Sequence, residues 1–154
     1  EYFVTVKDKN GDLIDSISTG GTPTYILSLA DQESQTTEFA VWVIPVLSGI
    51  PYSRSNILTF ERDPVIAIPN SFTPNGDGLN DNFIITGKFI DTYEMQIFNR
   101  WGEVLFRTTN LENGWDGTSK EEKMGTGNYA YWVRVKDLNN NEHIRTGSIL
   151  ILSN

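Results

Sequence analysis

The sequence predicts an all-β protein: an antiparallel β-sandwich domain at the C-terminal end, preceded by a second, smaller or partial β-sandwich unit. Short runs rich in Val, Ile, Thr and aromatic residues recur along the 154-residue chain, separated by Gly, Asn, Asp and Pro. Aromatic residues make up 12% of the chain, which is enough for packed cores. No segment has the apolar period of an amphipathic helix.

The first part of the chain predicts a small set of strands. Residues 2–6 predict a strand, and the turn at Asn10-Gly11 predicts a hairpin with a second strand through Ile17. Further strands are predicted at 25–29, 38–46 and 55–60, with a polar loop at 31–37. This layout resembles the later strands of a fibronectin type III or related immunoglobulin-like domain. Because such sandwiches have roughly 100 residues, we expect only part of one here.

A linker at Arg62-Asp63-Pro64 predicts two domains, residues 1–63 and 64–154. Strands in the second domain are predicted at 65–69, 83–86, 93–99, 103–107, 129–137 and 145–152. Within 129–137, the two-residue period places Tyr129, Tyr131, Val133 and Val135 on one face. The opposite face then carries Ala130, Trp132 and Arg134.

The charge of the chain argues against nucleic acid as a partner. The formal net charge is −8, with four basic and nine acidic residues before Pro64 and eight and eleven from there on. Binding to phosphates requires clustered Lys and Arg, which neither part has. No apolar run has the roughly 20 residues of a membrane-spanning helix, and the chain has no Cys.

Three segments of the second domain resemble a known family. They are PNSFTPNGDGLNDNF at 69–83, IFNRWGEVLF at 97–106, and GWDGT at 114–118 followed by GTGNYAYWVRVKD at 125–137. In this order they resemble the type B C-terminal domain of Bacteroidetes type IX secretion cargo, also called the gliding-motility-associated C-terminal domain. The resemblance covers nearly all of residues 65–154 and implies an immunoglobulin-like fold.

The resemblance also implies a function in protein export. Such a domain is a C-terminal signal that directs a large surface protein, often a gliding adhesin, through the type IX translocon. Its expected partner is an outer-membrane component of the PorP/SprF type, and its expected location is the cell surface, reached through the periplasm. We expect no catalytic activity, because the single histidine, His143, lies in a polar turn without a nucleophile motif around it.

The turn from Thr73 to Asp81 leaves three interpretations open. It is a rigid Gly/Asx turn, a recognition epitope, or a calcium loop. The candidate recognition residues are Pro74, Asn75, Gly76, Asp77 and Gly78. The candidate Ca²⁺ ligands are Asn75, Asp77, the carbonyl of Leu79, and Asp81. Thr73 and Ile84 stand where the full calcium loop has Asp and Glu, so few charged ligands are available.

Two tryptophan motifs complete the candidate sites. In the Asn99–Gly102 turn, Trp101 either covers the end of the core, with Arg100 stacked on a ring, or forms an exposed recognition pair with Arg100. In GWDGT, we expect Trp115 in the core, Asp116 accepting hydrogen bonds from turn amides, and Gly117 at the bend. The alternative function is a calcium-stabilised adhesive module, in which Trp42 or Trp132 binds carbohydrate or another surface.

Overall fold

The computed structural model divides the chain into two compact units, Glu1–Asp63 and Pro64–Asn154. It describes residues 1–8, 10–21, 26, 34–43, 45, 47 and 49–153. In these residues all regular structure is β-strand. No helix in the described part of the chain could span a membrane.

The first unit contains one five-stranded antiparallel sheet. Its strands are β1 (Tyr2–Asp8), β2 (Leu13–Gly20), β3 (Thr36–Val43), β4 (Ser53–Arg54) and β5 (Leu58–Glu61). The order is β2-β1-β3-β4, and β5 also pairs with β3. The predicted hairpin is confirmed, because β1 pairs with β2 and Gly11 at the turn has a φ of 84°. One carboxylate oxygen of Asp8 accepts hydrogen bonds from the amides of Asn10 and Asp12, each 2.9 Å long.

Two predicted segments of the first unit differ from the structure. Strand β3 begins at Thr36, inside the predicted loop. Of the strand predicted at 55–60, only residues 58–60 are strand, as part of β5, and β4 lies before the predicted range. Ser55 lies between β4 and β5. Its hydroxyl accepts a hydrogen bond from the Val41 amide and donates one to the Asn56 carbonyl, so a side chain takes the place of a backbone partner for that amide. The strand predicted at 25–29 lies outside the described residues except for Ile26.

The second unit is built around another five-stranded sheet. The strands of the whole unit are β6 (Val65–Ala67), β7 (Ser71–Phe72), β8 (Thr86–Lys88), β9 (Ile90–Phe98), β10 (Val104–Thr108), β11 (Thr118–Ser119), β12 (Glu122–Lys123), β13 (Gly127–Asp137) and β14 (Glu142–Ile151). The main sheet has the order β10-β9-β13-β14-β7. The pairs β6-β8 and β11-β12 form two small additional sheets. All pairs are antiparallel except β14 with β7.

The core of the second unit packs on one face of the main sheet. Val133 and Val135 of β13 are fully buried, and Tyr129 and Tyr131 pack against the same cluster, as the two-residue period predicts. Phe72 of the edge strand β7 belongs to the same cluster, and the other side of the core is filled from outside the main sheet by Phe83, Ile85, Trp115 and Ile66 of β6. The prediction of an all-β sandwich is therefore confirmed, although loops supply much of its second layer.

Several short elements of the second unit were not predicted correctly. Phe83 forms an isolated bridge with Trp115 instead of beginning a strand, and β8 begins only at Thr86. The parallel strand β7 and the β11-β12 hairpin were not predicted, because two-residue strands are too short to show a period. The charged run from Lys120 forms the turn of that hairpin, in which Lys120 and Glu121 both have positive φ.

Candidate functional site

The carboxylate of Asp81 holds the turn at residues 73–81 together. One of its oxygens accepts the amide of Gly76 at 2.6 Å, and the other accepts the amide of Gly78 at 2.7 Å. These two hydrogen bonds hold the pKa of Asp81 below its usual range, since they favour the charged form. Both glycines have positive φ, 83° and 86°, which only glycine adopts without strain.

Asn75 and Asp77 add three further local hydrogen bonds to this turn. The Asn75 side-chain oxygen accepts the Asp77 amide at 3.0 Å, and Asp77 in turn accepts the amide of Leu79 at 2.8 Å. The side-chain NH₂ of Asn75 donates to the second carboxylate oxygen of Asp77 at 2.8 Å. The backbone amide of Thr73 donates to the carbonyl of Asn80 at 2.8 Å, which closes the loop. The turn is therefore held in one conformation by its own side chains.

These contacts bear on calcium binding. Each side-chain oxygen of Asn75, Asp77 and Asp81 already accepts a hydrogen bond within the turn. Within the described ranges, no group of three or more His, Cys, Asp or Glu side chains is arranged to hold a metal ion. A calcium ion would have to compete with the backbone amides for these oxygens. The geometry favours the rigid-turn interpretation.

The turn between β9 and β10 presents Arg100 and Trp101 to solvent. The side-chain oxygen of Asn99 accepts the amides of Trp101 at 3.0 Å and Glu103 at 2.9 Å. Gly102 has a φ of 82°, as predicted for this turn. Trp101 is 76% exposed, so the expectation that it covers the end of the core is wrong. The exposed-pair alternative describes the geometry, with the Arg100 guanidinium 4.2 Å from the centre of the indole ring.

The GWDGT segment is structural in the way the sequence predicts. Trp115 is fully buried, and its indole N–H donates to the carbonyl of Thr118 at 2.7 Å. The carboxylate of Asp116 accepts both the amide and the hydroxyl of Thr118, at 2.9 and 2.7 Å. Gly117 has a φ of 78°. Trp115 also exchanges two backbone hydrogen bonds with Phe83, which joins this segment to the end of the 69–83 motif.

The three family-like segments, which are residues 69–83, 97–106, and 114–118 with 125–137, meet at one end of the second unit. A groove beside the β9-β10 turn is lined by Asn99, Arg100, Trp101, Leu105, Tyr129 and residues 124–128. A neighbouring cleft is lined by Pro74, Asn75, Asp116, Gly117, residues 151–153, Lys123, Met124 and Thr126. Met124 and Thr126 line both, so the two depressions are adjacent. Thr126 belongs to the segment at 125–137, whereas Met124 lies outside all three segments and could not be assigned to this surface from the sequence.

The remaining candidate side chains lie elsewhere. Trp132 is half-buried on the outer face of the main sheet, where the Arg134 guanidinium lies 5.6 Å from its ring centre. On the same face, Glu94 forms ion pairs with Arg107 at 2.7 Å and Arg134 at 2.6 Å. The pKa of Glu94 is lowered, first by the hydrogen bond from Gln96 and then by the two arginines. These contacts hold the outer face of the sheet together.

Two other side chains named from the sequence have local partners. A ring nitrogen of His143 lies 3.0 Å from a carboxylate oxygen of Asp137, whose other oxygen accepts the amides of Asn139 and Asn141. His143 thus supports the β13-β14 turn. In the first unit, the Trp42 ring centre is 5.2 Å from that of Tyr52 and 5.4 Å from the Arg54 guanidinium.

Comparisons with known proteins place the second unit in a family. The CHU_C type IX secretion signal domain matches residues 66–151. One similar solved structure is that of a tetra-tandem repeat in the extending region of a large adhesion protein, with 12% sequence identity and a TM-score of 0.44. The alignment covers 97% of this chain and 41% of that one. No curated protein matches the sequence.

Proposed function

We propose that the second unit is an export signal that docks on an outer-membrane partner, since the chain belongs to the family of CHU_C type IX secretion signal domains. The family assignment predicted from the three motifs is thereby confirmed. It implies export to the cell surface or to the outside, and interaction with the secretion machinery. The match to residues 66–151 is the observation that carries the proposal, because it extends from β6 to the end of β14.

The structure supports a signal that is read as a folded surface. The second unit has its own buried core, and most family-like residues either fill that core or hold its turns. Trp115 and Phe83 are fully buried and could contact a receptor only if the unit unfolded. A receptor that recognises the folded unit would therefore contact the exposed turns at the end of the second unit.

We further propose the identity of the partner and of the cargo. The partner would be an outer-membrane protein of the PorP/SprF type that hands the chain to the translocon. The cargo would be a surface adhesin of the kind used in gliding motility. The chain itself would be non-catalytic, with its acidic residues used in turns and ion pairs as described for Asp81, Asp116 and Glu94.

A reporter experiment tests the proposal. A fluorescent protein carrying a periplasmic export sequence is fused ahead of the full chain and expressed in a type IX-competent bacterium. We expect the reporter to reach the cell surface or the medium, and to stay in the periplasm in a strain without the translocon. A fusion that stays in the periplasm of the competent strain would contradict the proposal.

A second candidate function concerns the first unit. Tyr52 is 66% exposed and its ring centre lies 5.2 Å from that of Trp42, so this cluster presents aromatic surface to solvent. It would suit adhesion to a carbohydrate or another surface. Binding of the full chain to a glycan array, with loss of signal on Tyr52→Ala, would support it. An array without signal would reject it.

A further inference from the structure

Trp101 is an exposed aromatic residue on a rigid turn. Its side chain is 76% exposed, although its neighbours in the turn are tightly bonded: Asn99 accepts two amides through its side chain and a third, from Gly102, through its carbonyl. The turn would keep this shape with a polar residue at position 101, since Trp101 contributes only its backbone amide to these bonds. The large exposed ring is therefore not explained by the fold.

The charge next to Trp101 has no carboxylate partner among the described residues. Among the described residues, Arg100 forms no ion pair, whereas the neighbouring cation Lys120 is paired with Glu103 at 3.1 Å. The unit as a whole is acidic, with eight basic and eleven acidic residues. A guanidinium without a carboxylate partner attracts an anionic group at this point of the surface. Its planar form suits a carboxylate.

The groove beside the pair provides apolar contact for a ligand. Leu105, Met124 and Tyr129 line it, and the Tyr129 hydroxyl is fixed by a 2.8 Å hydrogen bond to the carbonyl of Gly125. The Arg100 guanidinium lies over the Trp101 ring, so that face of the indole is not free for a sugar to stack on. A rigid turn lowers the ordering cost of binding. Arg and Trp are the residue types that dominate binding energy at protein interfaces.

We infer that Arg100 and Trp101 anchor a protein partner that presents a carboxylate beside an apolar side chain, which occupies the groove. The inference rests on the proposed function and specifies the surface by which the signal is recognised. The adjacent cleft, which shares Met124 and Thr126 with the groove and is lined by Pro74 and Asn75, extends this surface. The partner carboxylate pairs with Arg100, and its apolar side chain packs between Trp101 and Met124.

Two measurements on the full chain test the inference. The first is binding of the fluorescently labelled chain to outer-membrane vesicles from a type IX-competent bacterium. The second is export of the reporter fusion. We expect Trp101→Ala and Arg100→Glu each to weaken vesicle binding about tenfold or more, as for interface hot spots. Export should fall in parallel, while both melting temperatures stay close to that of the wild type. Arg100→Lys should retain more binding than Arg100→Glu.

Matched controls are available elsewhere on the same sheet, outside the groove. Leu138→Ala removes a side chain that is 39% exposed in the turn after β13, roughly 30 Å along that strand from the groove. Arg145→Glu reverses an exposed charge on β14. Both should bind and be exported as the wild type. Should Trp101→Ala lower the melting temperature, Arg100→Glu decides alone, since the Arg100 side chain is exposed and lies over a ring that is itself exposed.

The possible failures are distinguishable. Wild-type binding and export by both variants would overturn the inference and leave the secretion function intact. Binding that survives protease treatment of the vesicles, or that soluble polysaccharide from the same bacterium abolishes, would also overturn it in favour of a sugar. Failure of the wild-type fusion to be exported would contradict the proposed function itself.

Discussion

Gly117 lies directly against the ring of Pro74, so that a Cβ placed on Gly117 would be 3.1 Å from the Cγ of Pro74. The two residues belong to different family-like segments, more than 40 positions apart in the sequence. Their contact joins the 69–83 motif to GWDGT at the end of the second unit. Pro74 and Gly117 both line the cleft at this end of the unit, so the shape of that cleft depends on a glycine at position 117.

Gly117→Ala should destabilise the second unit. The residue has a φ of 78°, which costs a non-glycine residue about 1–2 kcal/mol, and the new methyl group would press on Pro74. Urea unfolding followed by circular dichroism measures the change. Gly125→Ala is the control, because a Cβ there meets nothing within 4 Å and its φ is not positive. Equal stability of the two variants would contradict the prediction.

Trp115 and Trp101 should differ sharply in their contribution to stability. Trp115 is fully buried, so Trp115→Ala should cost about 3–5 kcal/mol of unfolding free energy. Trp101 is 76% exposed, and Trp101→Ala should change the unfolding free energy by less than about 0.5 kcal/mol. Chemical denaturation of both variants makes the comparison. A large loss with Trp101→Ala would mean that this ring packs on the core.

Asp81→Asn should reveal a pH-dependent contribution of the 73–81 turn. The amides of Gly76 and Gly78 hold the folded-state pKa of Asp81 below the ordinary value of 3.8, so the charged carboxylate stabilises the fold above that pH. This contribution is lost as the pH falls through the folded pKa. The variant should therefore melt below the wild type at pH 7, and the gap should narrow below about pH 4. A gap of equal size at both pH values would rule out this role.

Calcium should leave the stability of the protein unchanged. The oxygens of Asn75, Asp77 and Asp81 are occupied by hydrogen bonds within the turn. A ligand present at 100 times its dissociation constant would add about 2.7 kcal/mol and raise the melting temperature by several degrees. Melting curves in EDTA and in millimolar calcium should coincide. A clear rise with calcium would restore the calcium-loop interpretation.

Much of the second unit could be predicted because its signals are local. The period of two placed Val133 and Val135 on one face, which is the buried one, and Gly102 and Gly117 were identified as turn residues, both of which have positive φ. The family itself follows from three short motifs. Trp101 shows the limit of this reasoning. Whether a tryptophan in a turn is buried depends on what lies beside the turn, and nothing next to it in the sequence specifies that.

The sequence by itself determined the all-β class, the hairpins at Asn10-Gly11 and Asn99–Gly102, and the secretion-signal family, because alternation, turn chemistry and motifs depend on neighbouring residues. Only the tertiary structure decided which turns share a surface. The parallel pairing of β7 with β14, the contact of Gly117 with Pro74, and the groove beside Arg100 all join distant segments. Such contacts form when distant segments pack around one core, and a local sequence pattern does not specify them.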